Sequence, residues 1–255
     1  MTLFRLERSV LAKQKALQLK TFSIRALLVA TAILSIWLAW LSFRAQTQKS
    51  VADWLRSLGS EPYYSYQRTG DDNAPGFLTR QVGRLIGVDY AATIDRVQLA
   101  GNPVETIDMV SKLRSLRWCE LQGSGVTNIE PLSNLKQLEF LSLGHTNVAD
   151  MSPASELVKL QRVEAFDTKI DNLRFTRNLK QLTGLNVMVT AVDDVSCLKD
   201  HPALQRLNIS STAVVDIAAL HSIPTLVYLD VYNTNISDDD IDALQLALPN
   251  CKIRR

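Results

Sequence analysis

From about position 94 to its last residue the chain repeats itself every 22 residues, and no other feature constrains its fold as tightly. The pair Val97-x-Leu99 returns as Cys119-x-Leu121, Leu141-x-Leu143, Val163-x-Ala165, Leu185-x-Val187, Leu207-x-Ile209, Leu229-x-Val231 and Cys251-x-Ile253. Three residues beyond each second member stands Asn102, Ser124, Thr146, Thr168, Thr190, Thr212 or Thr234. Two further on stands Val104, Val126, Val148, Ile170, Val192, Val214 or Ile236. No insertion or deletion interrupts these columns, so the last pair is expected to form a strand in the same register. The pairs alternate apolar with polar, which is strand periodicity with one buried face. A unit this short cannot bury that face alone, so neighbouring units must stack. Their strands then form a parallel sheet on one side of a coil. The Asn/Ser/Thr column falls where the chain leaves the sheet, and a small polar side chain there hydrogen-bonds backbone groups that the turn frees.

The pattern Leu132-x-x-Leu135-x-x-Leu138-x-x-Leu141-x-Leu143-x-x-Thr146-x-Val148 resembles the leucine-rich repeat. Its length, with the turn sequences Val126-Thr-Asn-Ile-Glu-Pro-Leu132 and Val214-Val-Asp-Ile-Ala-Ala-Leu220, is most similar to internalin-type bacterial repeats. The resemblance implies an α/β chain: a curved solenoid with a parallel sheet on its concave face and short helical or 3₁₀ turns on its convex face. For function it implies binding only, because the fold hosts many partners.

An open solenoid exposes apolar core at both ends and needs caps. Ser237-Asp238-Asp239-Asp240 opens a C-terminal helix, with Ser237 as N-cap and the acids at the positive end of the dipole. Ile241, Leu244 and Leu248 form its apolar stripe. At the other end, a helix is expected over Val51–Leu58, a strand over Tyr63–Gln67, a loop over Gly70–Gly76 and a covering helix over Phe77–Val88.

Ala26 to Phe43 contains no charge, Gly or Pro. As a helix it reaches roughly 27 Å, and with Phe22 to Arg25 it crosses a hydrocarbon core of about 30 Å. Arg25 snorkels to the headgroups, and Trp37, Trp40 and Phe43 gather at the far interface. Charge sets the orientation. Six basic residues, Arg25 the last of them, and only Glu7 precede Ala26, a net of +5, which leaves the remainder at −3 within a total of +2. Basic flanks stay in the cytoplasm, so the repeats are expected on the periplasmic or extracellular side. A cleaved signal peptide is the competing interpretation, but Leu41-Ser-Phe-Arg-Ala45 offers no small-residue cleavage site. The basic surplus beside a span, rather than on the folded domain, argues against nucleic acid. The expected organisation is a basic cytoplasmic tail at 1–21, a transmembrane helix at 22–43, a linker and N-terminal cap at 44–93, repeats at 94–236 and a C-terminal cap at 237–255. This plan resembles that of membrane-anchored bacterial repeat proteins.

Catalytic and metal chemistry find little support. Cys119, Cys197 and Cys251 are too scattered for a disulfide framework or a metal cluster. The acids Asp238, Asp239, Asp240 and Asp242 lack the spacing and turn glycine of a calcium loop. His145 and Asp167 share a column, with Ser142 nearby, but no oxyanion hole accompanies them. A solvated polar pair is the plainer interpretation, and no enzyme, cofactor or metal is expected. The informative surface is the concave sheet. Trp118, Phe140 and Arg162 line up in one exposed column, Phe166 and Met188 in another, and Tyr228 and Tyr232 flank a distal repeat. Aromatics and Arg are enriched at binding hot spots. Alternatively, the rings cover one another and stabilise the sheet. The expected function is recognition of a protein, or of another ligand, by this face outside the membrane. A structural scaffold of a cell-envelope complex is the alternative.

Overall fold

The computed structural model describes residues 3–69, 81, 83, 84, 87, 89 and 92–255. Its chain divides into two compact units, 1–47 and 48–255.

One helix, α1, runs unbroken from Leu3 to Ser57. Neither Gly nor Pro interrupts this stretch, so nothing forces a break after the apolar segment. The helix therefore continues through the first part of the region where the sequence suggests a linker. It ends at Gly59, whose φ of 73° is left-handed. The Ser60 amide donates to the Leu55 carbonyl (3.0 Å) and the Gly59 amide to that of Arg56 (2.9 Å). Those two bonds make a Schellman stop.

The second unit carries a nine-stranded sheet: β1 (Tyr63–Tyr64), β2 (Ile94–Gln98), β3 (Trp118–Glu120), β4 (Phe140–Ser142), β5 (Arg162–Glu164), β6 (Gly184–Asn186), β7 (Arg206–Asn208), β8 (Tyr228–Asp230) and β9 (Lys252–Arg254). From β2 to β8 each strand pairs in parallel with the residue 22 positions on, as Val97 with Cys119 and Cys119 with Leu141. Every connection from β2 to β8 contains a 3₁₀ turn, such as Glu130–Leu132 or Arg174–Asn178. The buried column of paired residues is almost wholly inaccessible from Cys119 through Leu229. Each leucine so buried contributes about 1.5–3 kcal/mol.

The polar column works inside each repeat. The hydroxyls of Thr146, Thr168, Thr190, Thr212 and Thr234 each donate to the carbonyl three residues back, at 2.6–2.7 Å. On the other side, Asn128, Asp150, Asn172, Asp194 and Asp216 each accept the amide two residues on, at 2.7–3.1 Å, and so open five of the six 3₁₀ turns between β2 and β8. The amide and hydroxyl of Ser152 hold the Asp150 carboxyl below its ordinary range, and those of Ser196 do the same for Asp194.

Two sequence expectations need correction. Tyr63–Gln67 is not one strand. Only Tyr63 and Tyr64 pair, antiparallel to β2, and Ser65–Thr69 is a 3₁₀ turn. The Gln67 side chain accepts the Tyr64 amide (2.7 Å), and the Tyr63 hydroxyl donates to the Gln67 carbonyl (2.9 Å). The chain curls back on itself there instead of extending. The second correction concerns the last strand. Leu229 faces Ile253, not Cys251, so β9 is offset by two residues from the period. Helix α2 (Asp238–Ala247) replaces a 3₁₀ turn and consumes the extra residues. An even shift keeps the same side chains inward, because strand faces alternate with period two.

The end of α1 covers the first repeat. Val51, Ala52 and Leu55 are fully buried, and the Gln48 side chain accepts the Ile94 amide (2.9 Å). Arg56 grips Asp89 with two nitrogens at 2.8 and 2.9 Å, and the Tyr64 hydroxyl donates to the same carboxylate. The Arg56 guanidinium holds the Asp89 carboxyl below its ordinary value. The Gly70–Gly76 loop and most of the Phe77–Val88 helix lie outside the described residues; Gln81, Gly83 and Arg84 are helical. At the far end, Ser237 Oγ accepts the Asp240 amide (3.1 Å), and Ile241, Leu244 and Leu248 are buried.

Candidate recognition face

Three rows of outward side chains cross the strands. The first runs Tyr63, Arg96, Trp118, Phe140, Arg162, Gly184, Arg206, Tyr228 and Lys252, as the strand register dictates. Its opening members form one stack. The Arg96 guanidinium lies 4.7 Å from the Tyr63 ring centre and 4.5 Å from that of Trp118. Trp118 in turn stacks on Phe140, with ring centres 3.8 Å apart and planes inclined by 19°. Trp118 Nε1 donates to the Glu120 carboxylate. Cation–π contacts contribute about 0.5–2 kcal/mol and ring pairs about 0.5–1.5 kcal/mol. Both rings are half-buried.

The row changes character at Arg162. Its Nε donates to Glu164 (2.6 Å), so its side chain turns along its own strand rather than onto Phe140. Gly184 follows, leaving a gap in the row. Arg206 and Lys252 are exposed and make no ion pair among the described residues. Over β5–β9 lies a recess of about 720 Å³ bordered by Arg162, Glu164, Gly184, Arg206, Tyr228 and Lys252.

The middle row is polar and internally bonded. Asn186 Nδ2 donates to Glu164 (2.8 Å). Asn208 Oδ1 accepts the amide of Ser210 (2.9 Å). Asp230, only 2% exposed, accepts from Arg254 (2.9 Å) and from the Tyr232 amide (3.1 Å). Arg254 also lies 5.2 Å from the Tyr232 ring centre.

In the third row Phe166 leans over Gly144, so closely that a Cβ there would collide with its ring. It meets His145 edge-on, with centres 4.9 Å apart. Phe166 therefore packs toward the N-terminal neighbour. Met188, its column neighbour on the other side, receives Asn208 Nδ2 at its sulfur (3.6 Å). Tyr232 is 53% exposed. Of the seven residues expected to bind, Trp118, Phe140, Arg162 and Tyr228 share the first row, whereas Phe166, Met188 and Tyr232 stand in the third.

His145 Nδ1 sits 2.6 Å from Asp167 Oδ2, with both side chains about half exposed. Ser142 is buried and has no hydrogen bond to His145 among the described residues. The pair belongs to a backbone feature that the apolar columns do not reveal. Gly101, Gly123, His145, Asp167, Val189, Ser211 and Asn233 all have left-handed φ, between 51° and 71°. Gly, Asn and Asp in that column are its sequence signal.

His201 is the other residue the columns conceal. It stands where Leu113, Leu135, Leu157 and Leu179 stand in other repeats. It is buried, its Nε2 donates to the Leu179 carbonyl (3.1 Å), and its Nδ1 accepts the Leu204 amide (3.1 Å). Burial lowers its pKa from the ordinary 6.5. Burial likewise pushes the Cys119 thiol up to about 12, which leaves it an inert core filler. No group of His, Cys, Asp and Glu able to hold a metal occurs among the described residues.

No protein-family model and no curated protein matches the sequence. Solved structures do. An internalin C2 from Listeria monocytogenes aligns with a TM-score of 0.59 at 24% identity, over 64% of this chain and 72% of that one. The internalin inlF of the same organism aligns at 0.54 and 20%, over 69% of this chain and 61% of that one. A leucine-rich-repeat protein from Leptospira interrogans aligns at 0.52 and 18%, over 64% of this chain and 49% of its own length. With the observed alternation of strand and 3₁₀ turn, these likenesses show that the chain folds as a leucine-rich-repeat solenoid preceded by an apolar helix.

Proposed function

We propose that this solenoid is a recognition module that binds a protein partner through its outward sheet face. The observation that carries the proposal is the contrast between the two faces of one sheet. The inner face is closed apolar core. The outer face presents stacked aromatics, guanidinium groups and an open recess on a rigid backbone. The contact residues we assign are Trp118, Phe140, Arg162, Phe166, Met188, Tyr228 and Tyr232. The test is affinity capture from a membrane extract with the full chain in detergent, beside the same chain carrying Trp118→Glu and Phe140→Glu. A protein retained by the original and lost by the folded variant is the expected result. Equal capture by both removes Trp118 and Phe140 from the binding site and favours a scaffold in which the repeats only space or self-associate.

We further propose that 22–43 spans a membrane, with 1–21 in the cytoplasm and the solenoid outside. Support comes from the length and apolar composition of this helix, whose side chains are exposed. Leu27, Ile36 and Phe43 are each more than 60% exposed. Leaving such surface in water is costly, at about 25 cal/mol per Å². N-terminal sequencing of the chain recovered from membranes separates the two fates of such a helix. A start at Met1 is expected. A start beyond Phe43 would make the segment a removed signal and the solenoid a released protein.

A further inference from the structure

We infer that the recess over β5–β9 receives an acidic segment of the partner, with its carboxylates set between Arg162, Arg206 and Lys252. This deepens the recognition proposal and rests on it. The border of the recess holds three basic side chains and one acid. That acid, Glu164, is already satisfied by Arg162 Nε (2.6 Å) and Asn186 Nδ2 (2.8 Å). The surplus is therefore two positive charges. Other cations on this face are engaged: Arg96 lies between two rings, and Arg254 is bound to Asp230 beneath Tyr232. Arg206 and Lys252 have no such partner among the described residues, and Arg162, which borders the recess, donates to Glu164 through its Nε alone.

Gly184 makes the space. A side chain on that strand would lie beside Arg162, since a Cβ there meets Arg162 Cγ at 3.4 Å. With glycine, the floor between Arg162 and Arg206 stays low enough for a ligand to reach both. The basic residues stand on alternate strands, about 10 Å apart at the usual strand spacing. Each guanidinium presents paired N–H donors that fit a carboxylate side by side. The Asn186 and Asn208 oxygens accept backbone amides of their own repeats, and their amide nitrogens each commit one of two hydrogens, to Glu164 and to the Met188 sulfur. An environment of donors with unpaired positive charge fits an anionic peptide and rejects a basic one.

The test uses the full chain in detergent and a fluorescein-labelled hexaglutamate peptide, read by anisotropy. Binding is expected, weakening as salt rises. It should fall about tenfold or more in Arg206→Glu with Lys252→Glu. It should fall less in the neutral pair Arg206→Gln with Lys252→Gln, and stay unchanged in Arg177→Glu on the 3₁₀ side. Hexalysine should not bind. Equal binding by the original and both double variants, or equal loss with Arg177→Glu, overturns the inference. Displacement by inorganic phosphate at the peptide's own concentration would assign the recess to phosphate instead and equally overturns it. Should hexaglutamate fail while Trp118→Glu with Phe140→Glu still loses the captured protein, the acidic-segment inference falls alone and the recognition proposal stands.

Discussion

The two halves of the outward sheet face share a backbone and a period but do opposite things with them. In the first row, Tyr63 to Phe140 form a self-satisfied stack of rings around Arg96. From Arg162 to Lys252 the same row holds a glycine gap and two cations, Arg206 and Lys252, with no ion pair among the described residues. The third row divides similarly. Gly144 makes room for Phe166 in the N-terminal half, whereas Tyr232 stands out in the C-terminal half. Side chains at equivalent positions thus brace one another and present a joint surface where neighbours complement, and stand singly where they do not. The left-handed column repeats the contrast. Gly101 and Gly123 adopt positive φ without strain, but Val189 adopts φ 57° with a branched side chain.

That contrast can be broken by mutation. Trp118→Ala should cost about 2–4 kcal/mol in urea unfolding, because it removes a half-buried ring, its stack and its cation. A cost below half a kcal/mol would show that the stack is not structural. Val189→Asn should stabilise by about 1 kcal/mol, since Asn tolerates the left-handed region. A loss of stability there would mean that Val189 makes a packing contact worth more than its strain. Acid should act through His201. Its pKa is lowered on folding, so its unfolded form binds more protons, and stability is full above 6.5 and falls as pH drops below it. The drop in urea midpoint between pH 7.5 and 5.5 should shrink in His201→Leu; an unchanged drop assigns the acid sensitivity elsewhere. Arg206→Ala should change stability by less than about 0.5 kcal/mol, as an exposed side chain with no ion pair among the described residues. A larger loss would place Arg206 with the N-terminal stack as a structural group.

The repeat was legible because a 22-residue period states itself in every column, and each buried pair needs the next to be covered. The row membership of Trp118, Phe140 and Arg162 followed from counting alone. What escaped was set by side-chain direction. Counting places Phe166 midway between Gly144 and Met188, but only the missing Cβ at Gly144 decides which way the ring falls. Arg206 and Lys252 were visible as residues. Their significance depends on Gly184 being low and on Glu164 being already bonded, and neither follows from spacing. The shift of β9 escaped because Cys251-x-Ile253 is apolar in either register. The buried role of His201 was hidden by a column of leucines that it enters as the one polar member between Leu179 and Ile223.

The most direct test of recognition by this face is site-specific photo-crosslinking in native cells. A photo-reactive phenylalanine analogue is placed at Arg206 and at Tyr232 on the sheet side, and at Arg177 and Lys199 on the 3₁₀ side. One protein adduct common to both sheet positions and absent from both 3₁₀ positions is the expected result. Adducts only from Arg177 and Lys199, or the same adducts from all four positions, would contradict recognition by the sheet face.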